Sequence, residues 1–299
     1  MASPSHVAHP RIFLSGGAHR VLKTSTNRTR PLVYNRVPKA ASTSMIVVLQ
    51  RLARRNHFGV TSAPAMQYWP RLTELRARLE SLRPDHCYIN HCSTLDDSRR
   101  QWLWINIVRE PLAHYESLHY WERRGLRERA RLQKRDPVCG CAHLELAPCL
   151  SVRLQRKCPI RLWQQRNLFC VPDASWAAHE NGPPPCSVEE ALQIVQQQYL
   201  LVGLAEEFDV TLRALEALLP RYFAGASQML ADGPIAANVG SSKAATRSAA
   251  KNLTRQYIEH VLVHNATNYA GERLFYEGVR RVFREKLAEA SLHSRAFLS

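Results

Sequence analysis

Between Leu32 and Arg55 the chain has no glycine, no aspartate and no glutamate. The missing glycines exclude a nucleoside-triphosphate loop of the form G-x-x-x-x-G-K-[ST], whose glycines let the backbone close over phosphates, and leave a kinase built on it a poor reading. The missing carboxylates remove the ligand that a bound Mg²⁺ would want. No apolar run approaches the length of a membrane span: Met45 to Leu49 and Leu200 to Ala205 are core-sized. The N-terminus carries no apolar signal-peptide core. There is no Cys-x-x-Cys, and Cys139 and Cys141 stand too close together for paired zinc knuckles, so zinc is a weak reading. Helix-turn-helix, RNP and zinc-finger patterns are also missing, which lowers a nucleic-acid reading. There is no internal repeat.

What is present is basic. Lys and Arg number 41 against 25 Asp and Glu, a net charge of +16. That excess favours a polyanionic partner, whether nucleic acid, acidic membrane or sulfated glycan. A hydrophobic fraction of 45% over 299 residues suffices for a real core, in one large α/β domain or two small ones. Eight cysteines suit disulfides in an oxidising lumen better than a reduced cytosol. Three N-x-[ST] sequons, at Asn27, Asn252 and Asn265, agree with a secretory route.

Residues 1–30 read as a polar, basic lead-in, 31–290 as the folded domain and 291–299 as a tail. The pattern predicts strands at Pro31–Val37, Cys87–His91, Trp102–Val108 and Leu200–Gly203. It predicts helices over Ser44–Arg55, Pro70–Leu82, from Pro111 toward Arg124, over Glu206–Leu219 and from Asn252 to about Ala290. Ser187 with Glu190 forms a capping-box pattern. Residues 123–136 are a basic run, and 137–187 a Cys- and Pro-rich insert read as irregular. Strands alternating with helices predict an α/β fold of three layers around a parallel sheet.

One segment stands out, LVYNRVPKAASTSMIVVLQRL from Leu32 to Leu52. An apolar strand enters a polar loop holding Lys39, and a helix leaves through Ser42, Thr43 and Ser44. The first N–H groups of a helix lack intrahelical partners, and its dipole is positive at that end, so the loop is built to hold an anion. The bland alternative is a hydroxyl-capped helix beside a solvated lysine. Lacking metal ligands, the loop suits a metal-free anion such as the sulfuryl donor 3′-phosphoadenosine 5′-phosphosulfate (PAPS).

The blocks YNRVPKAASTSM (Tyr34–Met45), WINIVREPLAHYES (Trp104–Ser117) and LVGLAEEFDVTLRALEALLPRYFAGA (Leu201–Ala226) resemble the heparan sulfate 2-O-sulfotransferases, with the uronyl 2-O-sulfotransferases a close second. The similarity covers most of Leu32 to about Ala290. It implies a sulfotransferase fold with a P-loop-like, PAPS-binding strand-loop-helix, PAPS as co-substrate, no metal, and sulfate transfer to the 2-hydroxyl of a uronic acid in heparan sulfate. The alternatives left open are a uronyl enzyme acting on dermatan or chondroitin and a non-catalytic heparin-binding module.

The resemblance also assigns roles. Lys39 would steady the leaving phosphate, and Ala40, Ala41, Ser42, Thr43 and Ser44 would hold the 5′-phosphosulfate. His91, standing before a Ser-x-Leu-Asp, would be the base, with His86 its nearest rival; the second histidine that relatives often carry two residues earlier is Ile89 here. Its ordinary pKa suits proton transfer near neutrality. Arg109 and Ser117 would hold the 3′-phosphate, with further contacts from Lys243, Arg247 and Lys251. Arg36, Arg123 and Arg129 would meet the acceptor, Arg127 and Arg131 being alternatives to Arg129. The bland reading of Arg109 is a buried pair with Glu110 or Glu116. Disulfides Cys149–Cys158 and Cys170–Cys186 are implied, as are a Golgi lumen location, usually through an N-terminal type II anchor that this chain lacks, and a possible homotrimer.

Overall fold

The computed structural model describes residues 30–62, 72–97, 99, 101–123, 140–141, 144–172, 185–232 and 249–296. Five strands form one sheet in the order β2-β3-β1-β4-β5, all pairs parallel: β1 Leu32–Asn35, β2 Gly59–Ser62, β3 His86–Asn90, β4 Leu103–Val108 and β5 Tyr199–Leu204. Successive strand residues point to opposite faces. Leu32, Val33, Tyr34 and Asn35 are all fully buried, so both faces of β1 are covered, as parallel sheets require. The layered α/β expectation holds. The four predicted strands are present, and β2 is a short edge strand that the apolar pattern did not mark.

The helices that flank the sheet follow apolar spacing. In α1, Ser42–Asn56, the buried Met45, Val48, Leu49 and Leu52 fall one helical stripe apart. Then come α2 Leu72–Glu80, α3 Pro111–Arg123, α4 Leu146–Gln155, α5 Val188–Gln197, α6 Phe208–Leu218, α7 Pro220–Phe223, α8 Ala226–Ala231, α9 Ala249–Asn265 and α10 Tyr269–Ala296. The capping box closes as the pattern implies: the Ser187 hydroxyl accepts from Glu190 N–H, and the Glu190 carboxylate accepts from Ser187 N–H. Trp104, Tyr199, Phe169 and Phe275 pack as a chain of tilted rings through the core.

Three expectations need correction. The stretch 137–187 is not wholly irregular, since it contains α4 and a short 3₁₀ helix at Gln165–Phe169. Its Leu146, Leu150, Ile160 and Leu162 join Leu112, Ile258, Val261, Leu262 and Tyr269 in a second small core. The long C-terminal helix is two helices, broken before Asn268, whose side chain both accepts from Leu162 N–H and donates to Leu162 C=O. The first disulfide is Cys141–Cys149, not Cys149–Cys158. Helix α4 carries the chain about 9 Å along its axis between residues 149 and 155, away from the 4.4–6.8 Å Cα separation a disulfide needs. Cys158 is disulfide-bonded as well, but not to Cys149. Cys170–Cys186 forms as the resemblance implied. No helix among the described residues is long and apolar enough to cross a membrane.

Candidate active site

Strand order places the site. From β1 the chain goes to β2 on one side of the sheet, and from β4 to β5 on the other. The carboxyl ends of β1 and β4 therefore flank a topological switch point, where open parallel sheets leave a ligand crevice. The loop Arg36–Ala41 leaves β1, His91 leaves neighbouring β3, and Arg109 leaves β4. Residues far apart in sequence thus share one edge, on strands about 5 Å apart.

Two buried asparagines tie β1 to its neighbours at these strand ends, and a third braces the end of β3. Asn106 Nδ2 donates to Asn35 Oδ1 at 3.0 Å, Asn35 Nδ2 to Leu168 C=O at 3.2 Å, and Asn90 Oδ1 accepts from His91 N–H at 2.8 Å. Buried amides that find partners rigidify their surroundings.

The loop after β1 is held in an unusual backbone shape. Lys39 (φ 61°) and Ala41 (φ 56°) are both left-handed. Left-handed residues without glycine are uncommon and cluster at functional sites. Ala41 is the N-cap of α1 and offers no side-chain cap. That removes the reading of a simple capped helix. The helix begins at Ser42, two residues before the predicted start, so the N–H groups of Ser42, Thr43 and Ser44 occupy its open first turn. Ser42 and Ser44 are buried, Thr43 exposed. No acidic residue lies in that turn, so nothing there repels an anion. A phosphosulfate fits this open, uncapped and acid-free turn.

Side chains from other elements strap the loop. His114 Nε2 donates to Pro38 C=O at 2.8 Å, and Arg109 Nη1 to Lys39 C=O at 3.1 Å. Burial holds the His114 pKa down to about 4, so the ring is neutral when it donates. The Lys39 ammonium lies 5.5 Å from the centroid of the Trp121 ring.

His91 is 4% exposed. Its Nδ1 lies 2.7 Å from Arg36 C=O. A carbonyl only accepts, so Nδ1 carries the proton, and the neutral ring has its lone pair on Nε2. Burial, and then the Arg36 charge, lower its pKa to about 4. Arg36 Nε is itself buried and has no hydrogen-bond partner among the described residues. The rival His86 sits at the opposite end of β3 and bonds Thr61 Oγ1 at 2.7 Å.

Arg109 does not pair with Glu110 or Glu116. Those carboxylates are taken by Arg255 of α9, at 2.8 and 3.0 Å. Arg109 Nε lies 4.0 Å from Glu206, and its side chain is one-third exposed. The Gln165 side chain fixes the Arg109 backbone at two points, accepting from its N–H at 2.9 Å and donating to its C=O at 2.7 Å. Ser117 is half-buried on α3. It stands between His114 and Trp121 at helical spacings of three and four, hence on the face turned to the loop.

Lys251 lies in α9 one turn before Arg255, which anchors that helix beside α3; its side chain, like that of Arg123 at the end of α3, is outside the described ones. Lys243, Arg247, Arg127, Arg129 and Arg131 lie outside the described residues. His114, Gln165 and Trp121 are site neighbours that the sequence reading missed. His114 and Trp121 carried a usable signal, since they sit on α3 in register with Ser117. Gln165 carried none, being 56 residues from the backbone it holds.

At the switch point this all-parallel α/β sheet gathers an uncapped helix start after its central strand, a neutral buried imidazole after the neighbouring strand and an arginine from the strand across the crevice. The chain is similar to heparan sulfate 2-O-sulfotransferase 1 of Gallus gallus, 28% identical over 215 residues that cover 68% of this chain and 58% of that protein. The Homo sapiens protein of the same name is 27% identical with the same coverage. Uronyl 2-sulfotransferase homolog pip of Drosophila melanogaster is 26% identical over 277 residues, 82% of this chain and 50% of that protein. The resemblance read from the three sequence blocks is thereby borne out. The chain spans just over half the length of the heparan sulfate relatives it matches. No family model matches it.

Proposed function

We propose that the chain is a PAPS-dependent sulfotransferase that places sulfate on the 2-hydroxyl of a uronic acid in heparan sulfate, working in the Golgi lumen. The observation that carries this is the pairing of the His91 ring with the carbonyl of Arg36, three residues before the lysine of an uncapped anion cradle. On this reading the carboxyl end of β1 seats the donor's electrophilic sulfuryl group beside a base.

The donor, when bound, supplies a sulfuryl group on a phosphate leaving group. The N–H groups and hydroxyls from Ala40 to Ser44 orient it, and Arg109 with Ser117 holds its 3′-phosphate. Lys243, Arg247 and Lys251 add positive charge. His91 accepts the sugar proton at Nε2, with Nδ1 pinned by the Arg36 carbonyl so that the ring keeps the correct tautomer. Lys39 offsets the charge that grows on the leaving oxygen. Arg36, whose buried Nε has no hydrogen-bond partner among the described residues, together with Arg123 and Arg129, meets the acceptor's carboxylates and sulfates.

A uronyl 2-O-sulfotransferase acting on dermatan or chondroitin is the second reading, favoured by the longer match to the Drosophila protein. Parallel assays on the two glycan classes separate them. A glycan-binding module without catalysis is tested by Lys39→Ala. On the transferase reading, this variant still binds immobilised heparin and loses turnover at least about 100-fold, in line with the loss of one electrostatic stabiliser. Wild-type chain that binds heparin yet transfers nothing from PAPS contradicts it.

A further inference from the structure

Lys39 is assigned above to the leaving oxygen, and a lysine does this well only when its ammonium is brought to one place. Its stem has four rotatable carbons and much freedom to lose. We propose that Trp121 is the positioning residue that confines the Lys39 ammonium. The role rests on the transferase reading for its meaning but on geometry for its existence.

The ammonium stands 5.5 Å from the indole centroid, inside the range in which a ring face attracts a cation. Trp121 is 55% exposed, a large apolar ring left at the surface beside the cradle. Its neighbour Tyr120 is engaged elsewhere, donating from its hydroxyl to Glu145 Oε2 at 3.0 Å. Trp121 follows His114 by seven residues, about two turns and 10 Å along α3. His114 holds the backbone of Pro38. A single helix face therefore grips consecutive residues of the cradle in two ways, residue 38 by its carbonyl and residue 39 by its side chain. Ser117 lies between them on that face. The left-handed backbone at Lys39 fixes where the side chain leaves the loop, and the indole limits where it ends.

The test uses the full chain and a graded series at Trp121. Phe keeps a π face; Leu keeps apolar bulk without one. Reductive ¹³C-methylation labels the lysines, and Lys39→Arg identifies the Lys39 signal. In wild type that signal is shifted upfield by the ring current. The shift falls in Trp121→Phe and vanishes in Trp121→Leu. Turnover follows the same order: kcat drops about 2- to 5-fold in Trp121→Leu, the scale of one exposed cation–π contact, and less in Trp121→Phe. KM for PAPS and for the glycan stays within about two-fold. A merely structural role would track side-chain bulk, giving Phe and Leu the same kcat, and that result overturns the proposal. So does a Lys39 signal at the same position in wild type and Trp121→Leu. The shift needs no turnover, so an inactive wild type would count against the transferase reading while the contact is still judged by the spectrum.

Discussion

The Nδ1 of His91 donates to the main-chain carbonyl of Arg36 across 2.7 Å, so an imidazole at the end of β3 is oriented by the first loop residue after β1. The His91 ring and the loop after β1 therefore cannot shift independently. The same bond decides the tautomer, and burial decides the charge.

The His91 pKa, near 4, lies below the ordinary value of 6.5, chiefly through burial and then through Arg36. A histidine whose folded pKa is depressed is protonated first in the unfolded chain. Its contribution to stability is complete above 6.5 and is lost as pH falls toward 4. His114, also near 4, adds in the same direction. Thermal denaturation should show Tm falling between pH 6.5 and 4.5, and His91→Asn should flatten that slope. The acid limb of kcat/KM should lie well below pH 6.5. A limb centred at 6.5 would mean that a solvated histidine is the base.

His114→Ala removes the donor to Pro38 C=O. A buried partner left unsatisfied costs about 1–3 kcal/mol. Urea denaturation should show that loss, and turnover should fall although His114 touches neither donor nor acceptor in this account. His114→Gln, which can offer an N–H, should recover part of both.

Ala41 sits at φ 56° as the N-cap of α1. A β-branched residue there should cost on the order of 1 kcal/mol beyond alanine, because its two γ branches crowd a left-handed backbone that alanine's lone Cβ tolerates. Ala41→Val should lower Tm and weaken adenosine 3′,5′-bisphosphate binding measured by calorimetry. Ala41→Gly should be well tolerated in both measurements.

Non-reducing peptide mapping should recover Cys141 linked to Cys149 and Cys170 linked to Cys186, with Cys87 and Cys92 as thiols. Both thiols are buried and their pKa values are pushed up by burial, so they should resist alkylation until the chain unfolds.

Much of this was legible in one dimension because parallel, doubly covered strands read as nearly continuous apolar runs. Leu103–Val108 and Tyr199–Leu204 are such runs, whereas Gly59–Ser62 is short, half-exposed and polar, and leaves no such mark. The candidate anion loop was marked by local chemistry, a lysine and then three hydroxyls. The side-chain bonds that fix distant backbone were not. Gln165, His114 and Asn268 act by bonding backbone groups of distant residues, and a single amide or imidazole carries no record of which carbonyl it will meet. The disulfide that differs was carried over from the resemblance, which implied Cys149–Cys158; Cys149 reaches Cys141 instead, and no local pattern marks that choice.

The most direct test is transfer of radiolabelled sulfate from PAPS to desulfated heparin, followed by disaccharide analysis. The account predicts label on the 2-hydroxyl of the uronic acid, lost with His91→Ala and with Lys39→Ala. Label found only on the hexosamine, or undiminished in those two variants, would contradict it.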